Sequence, residues 1–134
     1  MKNVLATIVG IIVAGITVHI FESLIGHNLF PLPEGADPSN MEWIKNNMDQ
    51  IPMGSKIFVV IGHFAGIVIG MFVAAKISKT SIIPSYIAGG LMLLATLFTV
   101  FMLPKDLWFS VADCVLAIVG FLVGKSLASK QIEI

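Results

Sequence analysis

The sequence predicts an all-α integral membrane protein: a bundle of four transmembrane helices with a short amphipathic helix on its outer face. Three observations carry that expectation. The 134-residue chain is 57% hydrophobic and only 12% charged, with a mean hydropathy of +0.96, whereas soluble domains carry roughly 25% charged residues. Its apolar residues fall into four runs, each near the ~20 residues that cross a bilayer as a helix. Within one run, Gly62, Gly66, Gly70 and Ala74 recur every fourth residue. In water each such glycine weakens a helix by up to ~1 kcal/mol. In lipid the same spacing lets a second helix backbone approach closely. Backbone groups in lipid must be satisfied within their own segment, so helices are the architecture for these runs. The whole length, residues 1–134, suits a single transmembrane domain.

The elements follow in order. Met1, Lys2 and Asn3 precede an apolar run that begins at Val4, a start that resembles a signal peptide. The run continues to Phe21 without a clean A-x-A cleavage site. It is therefore read as the first helix, about residues 4–30, stopped by Pro31 and Pro33. Residues 31–54 form the one sizeable hydrophilic segment, an outer loop. Asp37 followed by Pro38 makes an N-cap and first-turn pair. Met41, Ile44 and Met48 share a helical stripe, with Trp43 and Ile51 alongside. An amphipathic helix is expected over about residues 38–50, on the membrane surface or capping the bundle, with Trp43 suited to the headgroup zone.

The second helix is expected over about residues 55–77, and a tight connection with Lys76 and Lys79 follows. The third, about residues 85–103, stops at Pro104. Trp108 marks another interface, and the fourth helix covers about residues 107–127 before a polar tail. Lysine placement sets orientation. With both termini cytoplasmic, that side holds Lys2, Lys76, Lys79, Lys125 and Lys130, against Lys45, Lys56 and Lys105 outside. An offset of 50 residues lays His63 on Asp113, Gly70 on Gly120 and Ala74 on Gly124. Two helical hairpins in parallel repeat would produce that echo, and so would chance in a limited apolar alphabet.

Composition excludes several classes. The formal net charge is zero, and all eight basic residues are lysine. Neither a basic tract for nucleic acid nor an arginine fork for phosphate is present. The single Cys114 excludes an intrachain disulfide and a CxxC redox pair; in an apolar run it reads as a small hydrophobe.

The candidate chemistry lies in His19, Glu22, His27, His63 and Asp113. Helical spacing puts Gly15, His19, Glu22 and Gly26 on one stripe of the first helix. The same arithmetic groups His63, Gly66, Gly70 and Ala74 on the second. On the fourth it groups Asp113, Ala117, Gly120 and Gly124. In three helices the ionisable residues share a stripe with small ones, and small residues mark the face that meets other helices. His19, Glu22, His63 and Asp113 are thus expected to converge in a ligand or ion pocket in the outer half of the bundle. Gly62, Gly66, Gly70, Ala74, Gly120 and Gly124 are expected to pack helices together. The bland alternative is that each polar group only bonds a neighbouring helix or reaches the headgroups.

Imidazole and carboxylate would suit zinc, iron or manganese. His19-x-x-Glu22 alone falls short of the paired Glu-x-x-His pattern of di-iron bundles, so no metal and no cofactor are expected. Ser110 precedes Asp113 by three residues without a G-x-S-x-G elbow, and no catalytic residue is nominated.

Three stretches together, Pro31-Leu-Pro33-Glu-Gly35-Ala-Asp37, Gly62-His63-Phe-Ala-Gly66, and Met102-Leu-Pro104 with Trp108-Phe109 and Asp113, resemble a group of small bacterial four-span inner-membrane proteins. The resemblance would cover nearly the whole chain. It implies a bacterial inner-membrane bundle, and it carries over neither an activity nor any functional residue.

The functional expectation is a small polytopic membrane protein with an outward-facing polar pocket, binding or conducting a proton, ion or small ligand. The alternative is a structural or accessory subunit of a larger membrane assembly, with no transport or catalysis of its own. The expected surroundings are the lipid bilayer, with a homo-oligomer or a larger membrane complex open and no nucleic acid.

Overall fold

The computed structural model describes residues 1–103 and 106–133; the expected stop at Pro104 and the position of Lys105 lie outside them. Among these residues every regular element is helical. Helix α1 runs Lys2–Leu29, α2 is Met41–Asn46, α3 is Met53–Ser78, α4 is Ile83–Met102 and α5 is Leu107–Ser129. The four long helices are each long and apolar enough to cross a membrane.

Helix α3 is the axis of the bundle, packed against α1, α4 and α5. Its small-residue stripe meets α1 at backbone distance, and the two helices run antiparallel. A Cβ at Gly70 would lie 2.8 Å from the Gly10 carbonyl oxygen, and one at Gly10 would lie 2.9 Å from that of Gly70. Farther along, a Cβ at Gly66 would lie 3.0 Å from the Ala14 carbonyl oxygen. Only hydrogen fits at these crossings, which is the physical content of small residues spaced by four. On the other side of α3, Phe64 covers Gly120, and the Met71 side chain fills the hollow between Gly89 and Gly124. Ala74 is completely buried.

Both termini lie at one end of the bundle. Ser78 Oγ donates to Asn3 Oδ1 at 2.8 Å, and the Glu133 backbone N–H donates to the Lys79 carbonyl at 2.6 Å. The hydrophilic segment closes the opposite end. Its helix is shorter than expected: α2 begins at Met41 because the Asn40 side chain accepts from the backbone N–H groups of Glu42 and Trp43. Asp37 instead closes its own turn by accepting from Ser39. A single 3-10 turn, Met48–Gln50, follows. Met48, Ile44 and Ile51 then pack on Val60 and Phe109, so the amphipathic face lies on the tops of α3 and α5.

Helix α1 departs most from its expected geometry. Ile20–Gly26 is π-helical, and the His27 N–H donates to the Glu22 carbonyl five residues back. Such a turn takes about one extra residue and shifts the phase of everything after it. Before it, the face toward the bundle is Ala6, Gly10, Ala14 and Thr17. After it, Gly26 is buried and Glu22 is turned toward α3. Gly15 and His19 are left on the exposed side, and a Cβ at Gly15 would have no neighbour within 4 Å. The regular stripe expected through Gly15, His19, Glu22 and Gly26 is thus broken in the middle.

Candidate functional site

Three of the four nominated pocket residues meet. His63 sits on α3 between two carboxylates: its Nδ1 lies 2.7 Å from Asp113 Oδ1 on α5, and its Nε2 lies 3.3 Å from Glu22 Oε1 on α1. The three side chains form a series from the open to the enclosed part of the bundle. Glu22 is 28% exposed, His63 13% and Asp113 not at all. Each arrives by a local cause. The glycine stripe draws α1 onto α3 beside His63. The α5 stripe of Ala117, Gly120 and Gly124 sets α5 against α3 with Asp113 facing in. The π turn rotates Glu22 inward.

His19 does not join them; it stands exposed on α1 for the reason of helical phase given above. No group of three or more His, Cys, Asp or Glu side chains among the described residues is arranged to hold a metal ion.

Glu22 and His63 form the deep wall of a cavity of about 330 Å³ beneath the hydrophilic segment. Trp43, Ile44 and Met48 roof it, and Val59, Leu103 and Phe109 line its sides. Trp43 is therefore a half-buried wall residue as well as an amphipathic one. Ser55, Lys56 and Thr99 supply further polar groups. Ser55, Val59 and His63 succeed one another every fourth residue, so the cavity follows α3 for roughly 12 Å at 1.5 Å per residue.

Lys56 and Ser55 had no place in the sequence-level site. Lys56 is almost buried, with its Nζ 2.7 Å from Asp106 Oδ2 at the start of α5. Ser55 is 1% exposed, and its hydroxyl has no hydrogen-bond partner among the described residues. One signal in the sequence bore on Lys56. The offset of 50 that lays His63 on Asp113 also lays Lys56 on Asp106, and both are side-chain contacts between parallel helices.

Below the three ionisable residues lies an apolar cluster. Ile67, Met71 and Ala117 are completely buried and pack with Met92, Leu93 and Phe121. The buried Thr17 hydroxyl is spent on the Val13 carbonyl of its own helix.

Comparison of the chain with protein-family models, with curated proteins and with solved structures gives no match in any of the three.

Proposed function

We propose that this chain is a bacterial inner-membrane protein, both termini cytoplasmic, that binds a small ligand in an outward-facing pocket. The observation that carries the reading is His63 held between Glu22 and Asp113 at the deep end of a roofed cavity. Ionisable side chains within a span are costly and gather at ligand or ion sites. An imidazole with a carboxylate on each nitrogen can take a proton at one and release it at the other.

Binding is favoured over conduction by the packing beneath. A proton path needs hydrogen-bonding groups in succession, and beneath Asp113 the core is built from Ile67, Met71 and Ala117. The orientation rests on the lysines: Lys2, Lys76, Lys79, Lys125 and Lys130 belong to the end that carries the termini, Lys45 and Lys56 to the other. The bacterial assignment rests on the resemblance of the Pro31–Asp37, Gly62–Gly66 and Met102–Asp113 stretches.

Native mass spectrometry of the protein released from mild detergent tests the reading. A small-molecule adduct is expected on the wild type and not on His63→Ala. In sealed vesicles the protein should pass no protons beyond the lipid background. A proton flux abolished by His63→Ala would overturn the dead-end pocket, and a C-terminal reporter found outside the cell membrane would overturn the orientation.

One observation favours the accessory-subunit reading as well. Gly15 and His19 present a small and a polar residue on an outer face of α1, a pairing that suits a neighbouring transmembrane helix. Loss of a co-purifying subunit or of a dimer in Gly15→Leu would decide for it.

A further inference from the structure

The polar atoms of the cavity are unevenly supplied. Both nitrogens of His63 are occupied by carboxylates. Lys56 is committed to Asp106, and the Thr99 hydroxyl donates to the Thr96 carbonyl at 2.8 Å. Of the other polar lining residues, Glu22, Ser23 and Ser55 bring oxygen and His27 brings an imidazole. Glu22 offers a carboxylate of which one oxygen meets His63, and Ser55 offers a buried hydroxyl without a partner among the described residues. A buried hydroxyl left unsatisfied is costly; Ser85 is another such hydroxyl, but only Ser55 lines the cavity, where a ligand can bond it.

The charge points the same way. The Lys56–Asp106 pair cancels itself. At the deep end two carboxylates, Glu22 and Asp113, share the single imidazole of His63. Trp43 and Phe109 bring aromatic rings to the lining, a residue type that suits a cation. Beyond the polar groups the lining is largely apolar, with Ile44, Met48, Val59 and Leu103 among it.

We infer that the pocket takes an amphipathic organic amine, its ammonium on Glu22, its apolar body along Val59 toward the roof, with Ser55 as a second hydrogen-bonding station. This rests on the pocket proposed above and names the class of its ligand. An anionic amphiphile would meet Glu22 head-on. A neutral one would forgo the charge-assisted bond, which is roughly twice as strong as a neutral one.

The test uses the full-length protein in mild detergent and three probes of one length: n-octylamine, n-octanol and n-octanoate. Saturation-transfer NMR and isothermal titration should show the amine bound at least about tenfold tighter than either other probe, as a charge-assisted bond implies. Glu22→Gln should abolish that preference. Because Glu22 also contacts His63, Ser55→Ala provides an independent variant. It should raise the melting temperature without added ligand, by removing an unsatisfied hydroxyl, and weaken the amine about threefold.

Preference for octanoate or octanol would overturn the amine and leave the pocket standing. So would an amine affinity indifferent to both variants. If none of the three binds, the amine falls, and the adduct experiment above decides the pocket separately.

Discussion

The two halves of this bundle are built on opposite principles. Toward the termini, α1 and α3 close to backbone contact through Gly10, Ala14, Gly66 and Gly70, and Met71 fills the remaining hollow. Close packing carries most of the contact there, as it can in lipid, with Ser78 Oγ donating to Asn3 Oδ1 at the very end. Toward the hydrophilic segment, the helices are spaced by side chains instead. Phe21 covers Gly62, Phe58 covers Gly26, and Phe30 covers Gly54. The space between is left to His63, Glu22 and a cavity. Packing fixes the lower half and specific polar contacts fix the upper, and the π turn in α1 lies where one regime gives way to the other.

The largest effect should come from breaking the lower half. Gly70→Leu would drive a side chain into the Gly10 carbonyl and the Ala14 methyl, and overpacking against backbone should cost about 3 kcal/mol or more. Gly15→Leu, on the exposed face of the same contact partner, should change stability by less than about 1 kcal/mol. Unfolding in mixed detergent would compare them, and equal losses would dissolve the distinction between the two faces.

A smaller loss is expected in the upper half. His63→Ala removes the imidazole from between two carboxylates while leaving the glycine contacts alone. A cost of about 2 kcal/mol is expected, with helix content by circular dichroism unchanged. Collapse of the whole bundle would mean that the polar contacts, and not the glycines, hold α1 to α3.

The smallest effect should be at Lys56. Its carboxylate partner is half exposed, so Lys56→Met keeps the buried stem and returns Asp106 to water. The change should stay within about 1 kcal/mol in either direction. A loss of several kcal/mol in the same unfolding assay would show that the pair anchors α5.

How much of this was legible beforehand depended on helical regularity. Four long apolar runs are a property of composition, and the spans follow from it. The stripes on α3 and α5 were readable because both helices keep an α-helical phase throughout, so spacing by four translates into one face. On α1 the same arithmetic misplaced His19, because no residue in Ile20–Gly26 announces a π turn. Glu22 was reached only because the turn moved it inward from a stripe whose earlier members, Gly15 and His19, face out. Ser55 and the cavity depend on the hydrophilic segment folding back over α3 and α5, a long-range event without a local pattern. Asp37 illustrates the converse, a good N-cap by type that closes a separate turn while Asn40 starts the helix.

The parallel register of α3 and α5 has a consequence for how the protein is made. Lys56 and His63 each precede their carboxylates, Asp106 and Asp113, by 50 residues. At about 5–20 residues per second of synthesis, α3 waits several seconds in the membrane before α5 exists. During that interval His63 has Glu22 of α1 for company, already synthesised. A ribosome-stalled chain ending before Leu107 should therefore expose His63 to a water-soluble modifying reagent from which the finished chain protects it. Asp113, a carboxylate inside the span and costly to insert, enters last, beside an imidazole already in position. The order of the chain brings the most burdensome group to a partner that is there to receive it.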